Sequence, residues 1–175
     1  MPTLVTVNDR MQRGYTYTRT AGMGRGMAFT PAYSPAEMLH RGVFEGKYMR
    51  DCRGEFPASW FRHAREARGP RADAEGCNMF GIKSRLSLQE WRRRHWLTKD
   101  DPRGWFQWYC RYYSGRRLPD VDPHQISRWR QLVRHAAQVR LNCTHRGANG
   151  RCRDPYHCRP RQRQALLQWS HDCLI

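Results

Sequence analysis

Five aromatic side chains limit the fold more than any other feature. Trp105, Trp108, Tyr109, Tyr112 and Tyr113 recur at i, i+3, i+4, i+7 and i+8, which is one face of an α-helix. Asp100-Asp101-Pro102 precedes them: an Asp cap followed by Pro at the first helical position satisfies orphan amides and presets φ. Gly115 stands where a left-handed stop is expected, and Arg116-Arg117 place cations beside the last carbonyls. So much aromatic surface on one face calls for burial, so this helix is expected at the centre of the core. Trp105 and Tyr113, at the edges of the stripe, are the candidates for stacking on unpaired bases.

Other helices can be placed around this one. Ser34-Pro35-Ala36-Glu37 reads as a capping box with Pro at the first helical position. That short helix should end near Gly42, with Val43, Phe44, Tyr48 and Met49 as apolar anchors after it. Glu55 to Phe61 should form another short helix that buries Trp60 and Phe61, and the charged stretch from Arg65 to Glu75 reads as a loop. Asp122-Pro123 opens a second long helix, with Ile126, Trp129, Val133, Ala136 and Ala137 on its buried face to about Val139. Arg128, Arg130, Arg134 and Arg140 take its other faces. A last helix runs from Pro160 to Trp169, with Leu166 and Leu167 inside and Arg161 and Arg163 outside.

At the N-terminus, Tyr15-Thr16-Tyr17-Thr18 has the β-propensity of an edge strand, followed by a turn with Gly22, Gly24 and Gly26. An Arg-rich targeting peptide is the competing reading of this segment, and the strand is favoured. The expected fold is therefore mainly α with a small N-terminal β element. Residues 1–30 form an arm or edge strand, and residues 31–175 form one compact helical domain with a C-terminal Cys/His loop at 143–158. With 175 residues, 39% of them hydrophobic, the chain has enough apolar material for a single core.

Charge narrows the partners. The chain carries 32 Lys+Arg against 15 Asp+Glu, a formal charge of +17. Only Lys47, Lys83 and Lys99 are lysines, so 29 of the cations are arginines. Guanidinium forks match phosphate oxygens bidentately and stack on bases, which points to nucleic acid, DNA before RNA. A GC-rich genome would also enrich arginine without any demand from function. No apolar run reaches the roughly 20 residues that cross a bilayer, and the basic residues are too dispersed for an amphipathic membrane helix. No membrane role is expected. Seven cysteines, an odd number, without an export signal argue for reduced thiols or metal ligands inside a cell.

Two segments suggest sites. Phe80 to Leu97 has the cadence of a helix-turn-helix, with Gly81 in the turn, Ser87 and Glu90 capping the second helix, and Leu88, Trp91 and Trp96 facing the core. A single capped helix with a solvated basic face is the competing and favoured reading of this segment. In the first reading its exposed face would present Arg92, Arg93 and Arg94 to phosphates, joined by Arg116, Arg117, Arg159, Arg161 and Arg163 elsewhere. The second segment, Cys143 to Cys158, concentrates three Cys and two His within 16 residues, among Gly, Asn and Pro. Zinc takes four such ligands tetrahedrally. Cys143, Cys152, His157 and Cys158 are the preferred set, with His145 or Cys173 as substitutes. No nucleotide-binding loop, dinucleotide fingerprint, serine-hydrolase elbow or zinc-protease histidine pair is present.

The run Asn149-Gly-Arg-Cys152-Arg-Asp154-Pro155-Tyr-His157 resembles the zinc-stabilised tail of HNH and His-Cys-box endonucleases. In that family an upstream histidine is the general base, and His145 alone could take the role here. The sequence departs from the pattern because no Asn follows Asn149 and His145 follows Cys143. A base-processing enzyme using Asp100, Asp101 or Asp120 beside Arg116 is the other enzymatic reading. Asp101-Pro-Arg-Gly-Trp-Phe-Gln-Trp-Tyr-Cys-Arg-Tyr-Tyr-Ser-Gly-Arg-Arg and Cys158-Arg-Pro-Arg-Gln-Arg-Gln-Ala-Leu-Leu-Gln-Trp, with Gly42-Val-Phe-Glu-Gly-Lys-Tyr-Met and Glu55-Phe-Pro, resemble a family of small uncharacterised basic proteins of phages, large DNA viruses and algae. The resemblance implies a viral or DNA-associated setting and no particular activity.

Overall fold

The computed structural model describes residues 1–20, 29–46, 49–62, 64, 78–82 and 86–175. It is mainly helical with one small antiparallel sheet. Strand β1 (Thr3–Asn8) pairs with β2 (Arg13–Arg19), Val5 opposite Tyr17 and Val7 opposite Tyr15, with an irregularity after Val7. The expected edge strand is β2; its partner β1, Thr3-Leu-Val-Thr-Val-Asn8, carries the same β-propensity and is a second strand that was not expected. The glycine-rich turn, Tyr48 and the Arg65–Glu75 loop lie outside the described residues. No helix among the described residues is long and apolar enough to cross a membrane.

Helix α1 (Pro35–His40) carries the full capping box, with the Ser34 hydroxyl accepting from the Glu37 amide and the Glu37 carboxylate accepting from the Ser34 amide. Residues Glu55 to Phe61 do not make one helix. Instead 3₁₀ turns at Arg50–Glu55 and Ala58–Trp60 flank Pro57, and Trp60 and Phe61 are half-buried. Helix α2 (Leu88–Arg93) has the predicted Ser87 cap. No helix precedes it among the described residues 61–86, where Asn78 to Ile82 form a turn around Gly81 at φ 65°, so the first half of a helix-turn-helix is not seen there. Trp96 is 37% exposed and does not face the core.

The aromatic helix, α3 (Trp105–Tyr113), starts later than expected. Gly104, at φ 82°, occupies the cap position, and Asp101 is drawn into an ion pair. Trp105, Trp108, Tyr109 and Tyr112 are buried around Phe29, whose ring meets Tyr109, Tyr112 and Trp129 edge-on at 4.9–5.5 Å. Such edge contacts each add about 0.5–1.5 kcal/mol beyond area burial. Packing therefore takes the stripe, Trp105 included, and leaves Tyr113 half-buried. Gly115 (φ 101°) ends the helix at a place where a Cβ would lie 2.3 Å from the Thr20 carbonyl oxygen, so the close approach of the backbone just after β2 requires glycine.

The second long helix is two helices, α4 (Asp122–Gln131) and α5 (Val133–Leu141), separated at Leu132. Trp129, Ala136 and Val139 are buried, while Val133 and Ala137 are exposed. The cause is the short apolar stripe: α5 has only two inward residues and cannot hold the line of α4 against the core. Helix α6 (Pro160–Gln168) buries Leu166 and Leu167 as expected.

Candidate metal centre and basic surface

The segment between α5 and α6 folds as a short hairpin. Gly150 (φ 74°) permits the turn, the Asn149 carboxamide accepts from the Arg151 amide at 3.0 Å, and Arg146 pairs with Cys152 in an isolated antiparallel bridge. The Gly147 amide donates to the Arg151 carbonyl at 2.8 Å, and the Arg153 amide donates to that of His145 at 2.7 Å. Asp154 then caps a helical turn over Pro155, which ends with the Cys158 amide donating to the Asp154 carbonyl at 3.0 Å.

This arrangement brings Cys143, Cys152 and Cys158 together, their sulfurs all within 4.8 Å of one another. The Cys143 and Cys158 sulfurs are 3.6 Å apart, close to the edge of a tetrahedron whose sulfurs lie about 2.3 Å from a zinc ion. The His145 amide donates to the Cys143 sulfur and the Asp154 amide to the Cys152 sulfur. Each is an amide two residues after its cysteine, aimed to stabilise a thiolate. Burial opposes ionisation of Cys143, but the Cys152 thiol, the His145 amide, the Cys158 thiol and the Arg163 charge together draw it below its ordinary value. Burial and the bond to Cys143 push Cys152 up to about 11. Such a donor set could hold a metal ion.

Two expected ligands are elsewhere. The His157 ring is 86% exposed, its Nδ1 held by the Asp154 carboxylate at 2.9 Å. Cys173 is buried, with its sulfur 3.3 Å from the Tyr33 hydroxyl. His145, the only candidate base, is exposed, and its backbone is engaged in the hairpin.

The arginines predicted to touch phosphate divide into two groups. Arg163 is fully buried: it donates to the carbonyls of Cys158, Cys173 and Ile175 at 2.7–2.8 Å, and its Nη2 has no partner. Arg116 is 2% exposed, bound to Asp101 at 2.6 Å and to the Tyr15 hydroxyl at 3.0 Å. Neither can reach a phosphate, because each is consumed inside. Arg117 is half-buried, stacked on Tyr112 at 3.8 Å. Arg92, Arg93, Arg94, Arg159 and Arg161 are exposed, although Arg93 and Arg94 share Glu90.

Sequence reasoning missed the acid-matched interior. Arg111, fully buried, binds Glu55 through two oxygens (2.6 and 2.8 Å), Asp101 (3.2 Å) and Gln12 (2.8 Å). Arg103 forks onto Asp51 and reaches Asp9 at 3.1 Å. Asp101, suggested as an enzymatic acid, is closed off between Arg111 and Arg116. The pairs span up to 99 residues of chain, so no local pattern announces them.

The C-terminal part has no such matching. From residue 123 onward there are ten arginines and two aspartates. Asp154 takes His157 and Asp172 takes Arg151. Arg134, Arg140, Arg146, Arg153, Arg159 and Arg161 are exposed around the hairpin and its flanking helices. Compared with protein families, with curated proteins and with solved structures, the chain matches none.

Proposed function

We propose that this chain is an arginine-rich nucleic-acid-binding protein, acting on DNA in a reducing, intracellular setting, whose basic C-terminal surface is held in shape by zinc. Cys143, Cys152 and Cys158 supply three ligands. His157, whose exposed ring lies outside the cysteine cluster, would supply the fourth by turning toward it: its Nδ1 is already bonded to Asp154, the usual way a ligating imidazole is oriented while its Nε2 stays free. Three thiolates and one zinc ion leave one negative charge, and buried Arg163, whose charge acts on both Cys143 and Cys152, offsets it. The zinc loop thus fixes the separation of α5 from α6 and with it the spacing of the exposed arginines.

The observation that carries the reading is the imbalance of ten arginines to two aspartates beyond residue 122, where Asp172 pairs with Arg151 and Asp154 is taken by His157. A surface of that kind repels itself unless a polyanion neutralises it. The test is elemental analysis of the purified protein together with identification of copurifying polymer. One zinc per chain, lost in Cys152→Ser and weakened in His157→Ala, and a nucleic acid displaced by salt are expected. Metal-free, polymer-free protein that stays folded would reject the reading.

A further inference from the structure

A cleft of about 240 Å³ opens between α2, α3, α4 and α6, walled by Phe44, Trp91, Trp96, Trp105 and Trp169. One cation stands in it. Arg128, on α4, donates to the Trp96 carbonyl at 3.3 Å and to the Gln125 side chain at 3.2 Å, and its guanidinium lies 5.1 Å from the Trp169 ring and 5.9 Å from that of Trp96. No carboxylate contacts it among the described residues, unlike Arg103, Arg111 and Arg116. Removing a cation from water without a counter-charge is costly, so the arrangement favours a ligand that brings the missing acceptor. Tryptophan faces favour a flat ring system. The volume is below the roughly 300 Å³ at which sites for drug-sized molecules begin, so one ring system fits and not an extended ligand. Arg94 stacks on Trp96 at 5.1 Å and brings the basic end of α2 to the rim, beside exposed Arg92 and Arg93.

We infer that this cleft receives one unpaired base of a single-stranded nucleic acid, stacked on tryptophan, with Arg128 bonded to its carbonyl or phosphate oxygen and the rim arginines on the neighbouring phosphates. The inference rests on the nucleic-acid reading above and names the part of the polymer that is recognised. A duplex keeps its bases stacked and paired, so it reaches only the basic surface.

The test titrates the full-length protein with oligothymidylate, with a duplex of the same length and with free thymidine monophosphate, reading tryptophan fluorescence and the anisotropy of a labelled strand. Oligothymidylate should quench the fluorescence. Trp96→Ala, which removes an exposed ring, should weaken the single strand by roughly 5- to 150-fold, the range of one lost base stack. Arg128→Gln should weaken it by roughly 10-fold or more, as a lost charged hydrogen bond does. Both variants should bind the duplex as the parent does. Single-strand binding unchanged in both variants would overturn the cleft and leave the basic surface standing. Binding of neither polymer would overturn both readings. Thymidine monophosphate quenching as tightly as the strand would show a free-nucleotide site and overturn recognition of the strand.

Discussion

The arginines of the two halves of this molecule do opposite things. Around α3, Arg103, Arg111 and Arg116 are interior residues, each matched to carboxylates that come from residues 9 to 101. Beyond residue 122 the arginines stand outside, with too few acids to match them. Arg163 and Arg128 are exceptions: Arg163 is buried and satisfied by carbonyls and not by acids, and Arg128 is half-buried against Trp169. The difference teaches that the two parts carry their charge differently. Residues 1–122 hold 22 basic and 13 acidic residues, a formal +9 of which part is matched inside, whereas the 53 residues beyond them hold ten arginines and two aspartates, a formal +8 and the denser excess.

The largest effect should separate the halves most sharply. Removing the proposed zinc by chelation, or Cys152→Ser, should forfeit folding free energy on the order of 10 kcal/mol at the hairpin. Hydrogen exchange should then quicken in residues 142–175 and stay slow in α3; uniform quickening would mean the two halves are one cooperative unit. Next, Arg111→Met should cost about 3–5 kcal/mol, because Glu55 is left buried without its counter-charge, while Asp101 keeps Arg116. A urea midpoint close to that of the parent would show that the interior pairs are dispensable.

Acid should tell the halves apart by a smaller amount. His171 stacks on Trp129 at 4.8 Å and meets the Trp129 carbonyl at 2.9 Å, and burial lowers its pKa below 6.5. The folded chain therefore favours the neutral ring. Its contribution is complete above pH about 6.5 and is lost as pH falls through the lower folded value. His171→Gln should flatten that part of the stability profile, measured by thermal midpoint between pH 7 and pH 5. The smallest effect on stability belongs to Arg134→Ala and Arg140→Ala, within about 0.5 kcal/mol of the parent, even though both stand on the proposed binding surface.

How much of this was legible depends on the range of the interactions. The α3 stripe, the Ser34 and Ser87 caps and the approach of three cysteines follow from spacing within a few residues, and they stand in the structure. Asp101 looked like a cap because Pro follows it; the pull of Arg116, fifteen residues away, decided otherwise. Arg163 looked exterior because it is charged, whereas three carbonyls enclose it, two of them near the chain's end. The break at Leu132 and the Arg128 cleft depend on which helices meet, and helical periodicity carries no such information.

The most direct test of the central claim is the dependence of nucleic-acid affinity on salt. Each phosphate neutralised by an exposed arginine releases counterions, so log affinity against log salt should fall with a slope of several units. The quadruple change of Arg134, Arg140, Arg159 and Arg161 to alanine should make that slope shallower by about one unit for each phosphate no longer neutralised. A slope near zero in the parent, or one that the four changes leave as steep as before, would contradict the account.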